Sequence, residues 1–362
     1  MTRKLRVAVI AGGRSSEHEI SLASARSVLA ALDPERYEVT TVAIERSGRW
    51  TVRPWELGAG GEDTTALEEE SVVSTRTFPS AAAGDAVASL PVVADSKPAA
   101  ALGAVDVALP ILHGPFGEDG TVQGLLELAD VPYVGAGVLG SALCMDKDLF
   151  KAVLRDRDIP VARNVTLRLG DELQNPFGYP VFVKPARLGS SVGISKAHDD
   201  GELVDAVALA RRHDEKVLVE EFVAGTEVEC GVLGNLRPPP IASVVGEIVP
   251  HAEWYDYAAK YDEGGSDIIV PARIPHEIAR RVQELSVDAF VATECEGMAR
   301  VDFFVREDGG VVVNELNTIP GFTPTSVYAR LFDASGIPYA ELLERLIALA
   351  LERHERRSQL EY

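Results

Sequence analysis

Residues 298–323 read MARVDFFVREDGGVVVNELNTIPGFT. Two runs rich in β-branched and aromatic residues flank Glu307, Asp308, Gly309 and Gly310, the composition of a β-hairpin with a short loop. With Arg306 opposite Val311, antiparallel pairing sets Asp302 against Glu315 and Arg300 against Asn317. Strand alternation turns these residues onto one face, and Val301, Phe303, Val305, Val312 and Leu316 onto the other. The second face suits a core; the first is left for chemistry. Carboxylates directly opposite on paired strands repel, by roughly a few kcal/mol at an effective dielectric of about 20. A divalent cation reverses the sign of that interaction. Asp302, Glu315 and Asn317 offer hard oxygen ligands of the kind Mg²⁺ takes beside substrate phosphates. A one-residue slip would instead leave a solvated polar face balanced by Arg300.

The chain has 362 residues, with 56 acidic against 35 basic side chains and a formal charge of −21. A nucleic-acid duplex or an anionic membrane is repelled by such a balance, and neither is expected as a partner. Phosphate must meet a local basic cluster. The length fits two or three domains at roughly 100–200 residues each. The first apolar run is too short for a signal peptide and breaks into Gly12, Gly13 and Arg14. No later stretch reaches the length of a transmembrane helix. Cys144, Cys230 and Cys295 are dispersed without paired or metal-type spacing, which suits free thiols in a reducing cytoplasm.

In chain order, the apolar residues 5–11 end in Gly12-Gly13 and precede a helical pattern with Leu22, Ala25, Leu29 and Leu32 on one face. No G-x-G-x-x-G fingerprint follows, which disfavours a nicotinamide enzyme. Ser16-x-x-Glu19 has the form of a capping box. After a strand at 37–44, periodicity is lost from about Trp50 until Val105. Residues 105–112 form an apolar strand leading into HGPFGEDG, 113–120, a glycine-punctuated loop carrying His113. A strand is expected at 133–135. The fold class is thus α/β, opening with a doubly wound domain over 1–140 whose strand-end loops collect polar groups. A helix over about 141–157 carries Lys147 and Lys151 on one face. Residues 179–185 form a strand that delivers Lys184 just ahead of RLGSSVG, 187–193. Backbone N–H groups and the Ser190 and Ser191 hydroxyls there can wrap phosphates, with Lys184 as counter-charge. The strand 217–223 carries Glu220 and Glu221 inside an apolar run, where an acid needs a reason; an adenine amine, a ribose hydroxyl or a plain edge strand would each supply one. Between Pro250 and Pro271 the chain is aromatic, charged and glycine-bearing, like a closing lid, and holds Lys260 and Tyr261. A last amphipathic helix covers 341–353.

Lys147, Lys184, the Gly-Ser-Ser loop, Glu220 and the acidic hairpin come in the order of the ATP-grasp superfamily of carboxylate–amine ligases, which the chain resembles. More closely, GGRSSEHEIS, HGPFGEDG, KPARLGSSVG, YDYAAKY and NELNTIPGFT resemble the signature blocks of the D-alanine–D-alanine ligase family. The resemblance implies a two-part ATP-grasp fold (α+β) after the first domain, with a central unit over 141–235 and a C-terminal unit over 236–362. It implies ATP between those units: adenine near Glu220, Phe222 and Val223, ribose at Glu227, phosphates at Lys147, Lys184, Ser190 and Ser191 under a lid carrying Lys260. Mg²⁺ or Mn²⁺, two ions, would be held by Asp302, Glu315 and Asn317. Glu19 would take the ammonium of a first D-alanine, closed in by Tyr261 and Ser190 with His113 nearby. Arg300 and the Gly321 backbone would stabilise an oxyanion, and Ser326 would meet the carboxylate of a second D-alanine. The implied reaction passes through an acylphosphate to D-alanyl-D-alanine for peptidoglycan precursors, in a cytoplasmic homodimer. Tyr261 in A-K-Y favours D-alanine over D-serine or D-lactate as second substrate.

Overall fold

A computed structural model describes residues 3–54, 105–251 and 265–361. The aperiodic connection after Trp50 and most of the lid segment, with Lys260 and Tyr261, lie outside the described residues. The first sheet contains β1 (Leu5–Gly12), β2 (Tyr37–Ile44), β3 (Trp50–Pro54) and β4 (Val107–Ile111) in the order β3-β2-β1-β4. β1 runs parallel to both β2 and β4, and β3 is antiparallel at the edge. Val7, Val9 and Leu109 face α1 (His18–Ala31) through Ala25 and Val28, while Ala8, Ile10 and Ala108 face Val122 and Leu126 of α2 (Thr121–Leu128). Helices on both faces explain why these strands read as continuous apolar runs. At the end of β1 the chain turns through Gly12 at φ 94, where a Cβ would lie 2.2 Å from the Ile44 carbonyl oxygen. The strand expected at 133–135 reduces to one bridge between Ala108 and Tyr133.

The helix expected over 141–157 is two helices, α3 (Val138–Met145) and α4 (Lys147–Asp156). The break is Asp146, whose backbone is extended and whose carboxylate caps α4 by accepting the Leu149 N–H at 3.2 Å. Lys216 holds the same carboxylate at 2.6 Å. The second sheet, β5 (Asn164–Leu167), β6 (Val181–Pro185), β7 (Ser195–Ala197) and β8 (Val217–Glu221), is antiparallel in the order β5-β8-β6-β7. Val181, Val183, Val217 and Val219 pack under α5 (Asp200–Ala210), so alternation turns Phe182, Lys184 and Glu220 to the opposite face.

The third sheet is antiparallel in the order β11-β10-β9-β12-β13, from β9 (Thr226–Gly234), β10 (Ile241–Pro250), β11 (Ser266–Ile269), β12 (Gly297–Val305) and β13 (Val311–Asn317). The expected boundary near residue 235 therefore falls after a strand, β9, whose neighbours are β10 and β12. α6 (His276–Ala292) covers one face through Val282, Leu285 and Phe290. On the other face lies α7 (Val327–Ala334), whose Leu331 packs with Ile248 and Val327.

The hairpin has the expected pairs at its functional end: Arg300 with Asn317, Val301 with Leu316, Asp302 with Glu315. Nearer the turn the register is one residue different, with Phe303 opposite Val313 and Val305 opposite Val311. Asn314 is the extra residue, a β-bulge that absorbs the difference. Val311 and Val313 consequently enter the core, whereas Val312, expected there, turns to the other face beside Val223 and Phe304.

The last helix, α8 (Tyr339–Ser358), is longer than expected and returns to the first sheet, packing Leu342, Leu346 and Ile347 against it. Buried Arg353 stacks on the Tyr133 ring and donates to the Gly135 carbonyl and, at 2.7 Å, to the Tyr133 carbonyl. Arg353→Met keeps the apolar stem but leaves two buried carbonyls without their donor, so urea unfolding should show a loss of about 3 kcal/mol; an unchanged midpoint would refute this anchoring role.

Candidate active site

Two clefts, of about 310 and 390 Å³, lie on either side of the loop 189–191. Gly189 lines both, Ser191 faces the first and Ser190 the second. Ser190 and Ser191 have φ of 53° and 57°, a left-handed conformation that costs non-glycine residues about 1–3 kcal/mol each. Such a loop persists only where its surroundings hold it. Here the Ser190 hydroxyl donates to a carboxylate oxygen of Glu17, across 173 residues of chain.

The first cleft is a basic floor under an apolar slot. Lys184 and Glu220 project from β6 and β8 on the face described above, with Phe182 and Phe222 6.1 Å apart beside them. Glu220 is buried in an interior strand, not on an edge. Its two oxygens take Lys184 at 2.8 Å and Lys151 at 2.9 Å. Burial alone would push the Glu220 carboxyl up, but the two ammoniums outweigh it and hold the group below the usual glutamate range. Lys184 also donates to the Asn314 side chain at 3.2 Å, a contact the bulge creates. Lys147 donates to the Leu188 carbonyl at 2.8 Å and lies 3.7 Å from Glu315. Val223 and Glu227 complete the wall, and Glu247 with Arg273, a pair at 2.6 Å, closes the far end.

The polar hairpin face forms the junction of the clefts. Asp302 is 2 % exposed, so the face is not solvated. Arg300 grips it with two bonds of 2.7 Å, and the Asn317 amide donates to it at 3.0 Å. Arg300 also lies 2.9 Å from Glu229, which β9 sets opposite Asp302 on the other flank. Glu229, Asp302 and Glu315 thus form a row across three adjacent strands. Two carboxylates and an amide oxygen on one face fit a hard divalent cation, and Arg300 and Lys147 lie against the same carboxylates.

The second cleft is lined by Glu17, His113, Glu118, Arg300, Gly321 and Ser326. Here a sequence expectation is corrected: Glu19 is outside. Its side chain is 72 % exposed and pairs with Arg46 at 3.1 Å. The capping box does not form either; α1 begins without a side-chain cap. Glu17, just ahead of α1, turns inward to Ser190, while Glu19, in the first turn of the helix, points out. His113 is buried, with Nδ1 2.9 Å from the Ile319 carbonyl and Nε2 3.4 Å from the Ser24 hydroxyl. Burial lowers its pKa despite Glu17 nearby, so the ring is neutral and Nε2 is an acceptor. Ser326 accepts the Thr323 N–H at 3.1 Å beneath the Gly321 backbone.

Of the expected residues, the structure brings together Lys147, Lys184, Ser191, Glu220, Phe222, Val223, Glu227 and Glu315 in one cleft and His113, Ser190, Arg300, Asn317, Gly321 and Ser326 in the other, with Asp302 between. Glu17, Glu118 and Glu229 carry no expected role in the sequence, and Lys151 is placed there only beside Lys147 on one helix face. The acid pair in HGPFGEDG was the one visible signal for Glu118; the others become apparent only through tertiary contact.

The profile described as "D-ala D-ala ligase N-terminus" matches residues 6–136, and "D-ala D-ala ligase C-terminus" matches residues 153–348. A D-alanine–D-alanine ligase A of Chromobacterium violaceum is 48 % identical over 97 % of this chain and 96 % of its own. A solved D-alanine–D-alanine ligase of Coxiella burnetii superposes with TM-score 0.81 at 36 % identity, covering 98 % of this chain and 96 % of that one. VanG D-Ala:D-Ser ligase of Enterococcus faecalis gives 0.78 at 35 %, covering 96 % and 100 %.

Burial, then the neighbouring Glu17, pushes the Glu118 carboxyl up to about 8. From the ordinary glutamate range up to that value, the folded chain keeps a proton that the unfolded chain releases. Stability therefore falls with rising pH in this window, by up to about 1.4 kcal/mol per pH unit from this group. Gln at this position can still accept the Gly114 N–H, which Glu118 takes at 2.9 Å. The urea midpoint of Glu118→Gln relative to wild type should rise from about pH 5 to about pH 8 and then level off; a pH-independent difference would exclude a protonated Glu118.

Proposed function

The chain belongs to the D-alanine–D-alanine ligase family, and from that premise we propose that it uses ATP to join two D-alanine molecules into D-alanyl-D-alanine for peptidoglycan precursors. The observation that carries this reading is the 189–191 loop: a basic nucleotide-sized cleft and an acid-lined pocket share one strained turn, with the metal-type hairpin between them. A carboxylate is a poor electrophile. The first D-alanine carboxylate oxygen attacks the terminal phosphorus of ATP and releases ADP; the second D-alanine's amine then attacks the acylphosphate carbonyl and expels phosphate.

Glu17, not Glu19, takes the ammonium of the first D-alanine. Lys147, Lys184 and Ser191 face the phosphates, Glu227 the ribose, and Glu220 with the Phe222 and Val223 backbone the adenine. Asp302, Glu315 and Asn317 would hold Mg²⁺ or Mn²⁺, two ions, supplying positive charge to the transferring phosphoryl group. Arg300 and the Gly321 N–H stabilise the tetrahedral oxyanion, Ser326 meets the second carboxylate, and neutral His113 can accept a proton at Nε2. Lys260 and Tyr261, as lid residues, would close over phosphate and first substrate, excluding water that would hydrolyse the acylphosphate.

Three units follow the three sheets, with the central one ending before β9. The cysteines dispersed in sequence are not all apart in space, the buried Cys144 and Cys295 sulfurs lying 3.7 Å from one another as free thiols, which suits a reducing cytoplasm; no helix among the described residues is long and apolar enough to cross a membrane. A homodimer is supported by apolar side chains left open on adjacent helices, with Leu128 91 % and Leu139 61 % exposed.

With ATP, Mg²⁺ and equal D-alanine, D-serine and D-lactate, chromatography should find D-alanyl-D-alanine as the main product; no ADP release with D-alanine would sink the reading. Glu17→Gln should lower kcat/KM for D-alanine about a hundredfold, the size of one charge-assisted bond, and Glu19→Gln less than about threefold. The reverse order would restore Glu19. Asp302→Asn should raise the Mg²⁺ requirement and cut turnover at least about a hundredfold while the fold persists, and near-normal rates at limiting Mg²⁺ would contradict the metal assignment.

A further inference from the structure

Lys151 is one of the most thoroughly buried side chains in the molecule, at 0 % exposure, and no wall of either cleft includes it. It sits one turn after Lys147 on α4, behind Glu220, with its ammonium 2.9 Å from the Glu220 oxygen that Lys184 does not take. A wholly buried lysine is expensive to desolvate, and a well-packed apolar residue in its place is often as stable. The charge count shows what it can do. Burial lowers the Lys151 pKa and the adjoining Glu220 carboxylate opposes that; with Lys151 charged by this pairing, one carboxylate is shared by two ammoniums and a single positive charge is left over. Lys151 is sealed from solvent, whereas Lys184 stands at the cleft and also reaches Asn314 at 3.2 Å. The surplus charge is therefore delivered where a phosphate chain would lie.

We propose that Lys151 is a positioning residue for nucleotide binding: by matching the charge of Glu220 from behind, it releases Lys184 to engage phosphate while Glu220 stays fixed and ionised toward the base. The proposal rests on reading the first cleft as the ATP site. Without Lys151, Lys184 becomes the sole counter-charge of a buried carboxylate and is held back. Phosphate recognition then weakens, and the contact of the base with Glu220, still fixed by Lys184, weakens much less.

The test compares the dissociation constants of ATP and of adenosine, by calorimetry on the full chain with Mg²⁺. Their ratio isolates the phosphate contribution, which a lysine of purely structural importance would not alter. In Lys151→Met the ratio should shrink about tenfold or more, with adenosine affinity within about threefold of wild type. In Lys151→Met/Glu220→Gln no carboxylate remains to retain Lys184. The ratio should there recover to within about threefold of wild type, while adenosine binds more weakly. An unchanged ratio in the single variant, equal weakening of both ligands, or a collapsed ratio in the double variant would overturn the proposal; the double variant decides if the single one does not fold. A wild-type chain that binds neither ligand would overturn the ATP-site reading itself.

Discussion

Carboxylates in a row do not stay together unaided. β9, β12 and β13 bring Glu229, Asp302 and Glu315 side by side, Glu229 and Asp302 almost without solvent, where repulsion between neighbours is least screened. Arg300, forked between Glu229 and Asp302, and Lys147 against Glu315 compensate it. The polar face of the third sheet is thus built around a demand for cations. The same demand would suit the metal ion proposed at Asp302 and Glu315, and Glu229, 2.9 Å from Arg300, would remain beside the arginine in the second cleft. The position of the arginine does not hinge on the carboxylate it shares.

Much of this was legible in one stretch of sequence, and the limit of legibility is instructive. The pairing of Asp302 with Glu315 followed from alternation and a short glycine turn, and it is present. It was nevertheless reached through a register that does not run the length of the hairpin. The Arg306 N–H bonds the Gly310 carbonyl, so the turn is one residue shorter than assumed, and the Asn314 bulge takes up that residue and restores the phase. A bulge has no compositional signal when the inserted residue is a polar one lying between a valine run and an acid. Its effect is specific: it sends Val312 to the nucleotide-side cluster with Val223 and gives Lys184 a second oxygen. The α/β order of the first unit was legible for a simpler reason, since strands covered on both faces have no polar positions to confuse the period.

The residues that escaped share a cause. Glu17 and Glu19 occupy similar sequence surroundings, and which one turns inward depends on where the first turn of α1 begins. That start is fixed by Ser15, whose hydroxyl accepts the Glu17 N–H at 3.2 Å and donates to the His113 carbonyl at 2.7 Å, nearly a hundred residues away. Glu229 and Lys151 look like an edge-strand acid and a helix-surface lysine until the sheets pack. In each case the informative contact is distant in sequence, and local period cannot report it.

The glycine-serine loop ties these observations together energetically. Two successive serines in the left-handed region cost about 2–6 kcal/mol between them, and a hydrogen bond to a charged group contributes about 1.5–3 kcal/mol. The Ser190 bond to Glu17 is of the right size to offset a large part of that strain but not to exceed it greatly. The loop conformation that sends Ser191 to one cleft and Ser190 to the other is therefore supported by the inward-turned Glu17, together with Lys147 on the Leu188 carbonyl and the turn bonds from the Val192 and Ile194 N–H groups to the Gly189 and Ser191 carbonyls. Glu118, held protonated beside it, removes the like charge that would otherwise compete for the same space. Under the proposed function, an ammonium in the second cleft would engage one of the groups that hold the loop, and would thereby link that pocket to the phosphate-facing turn.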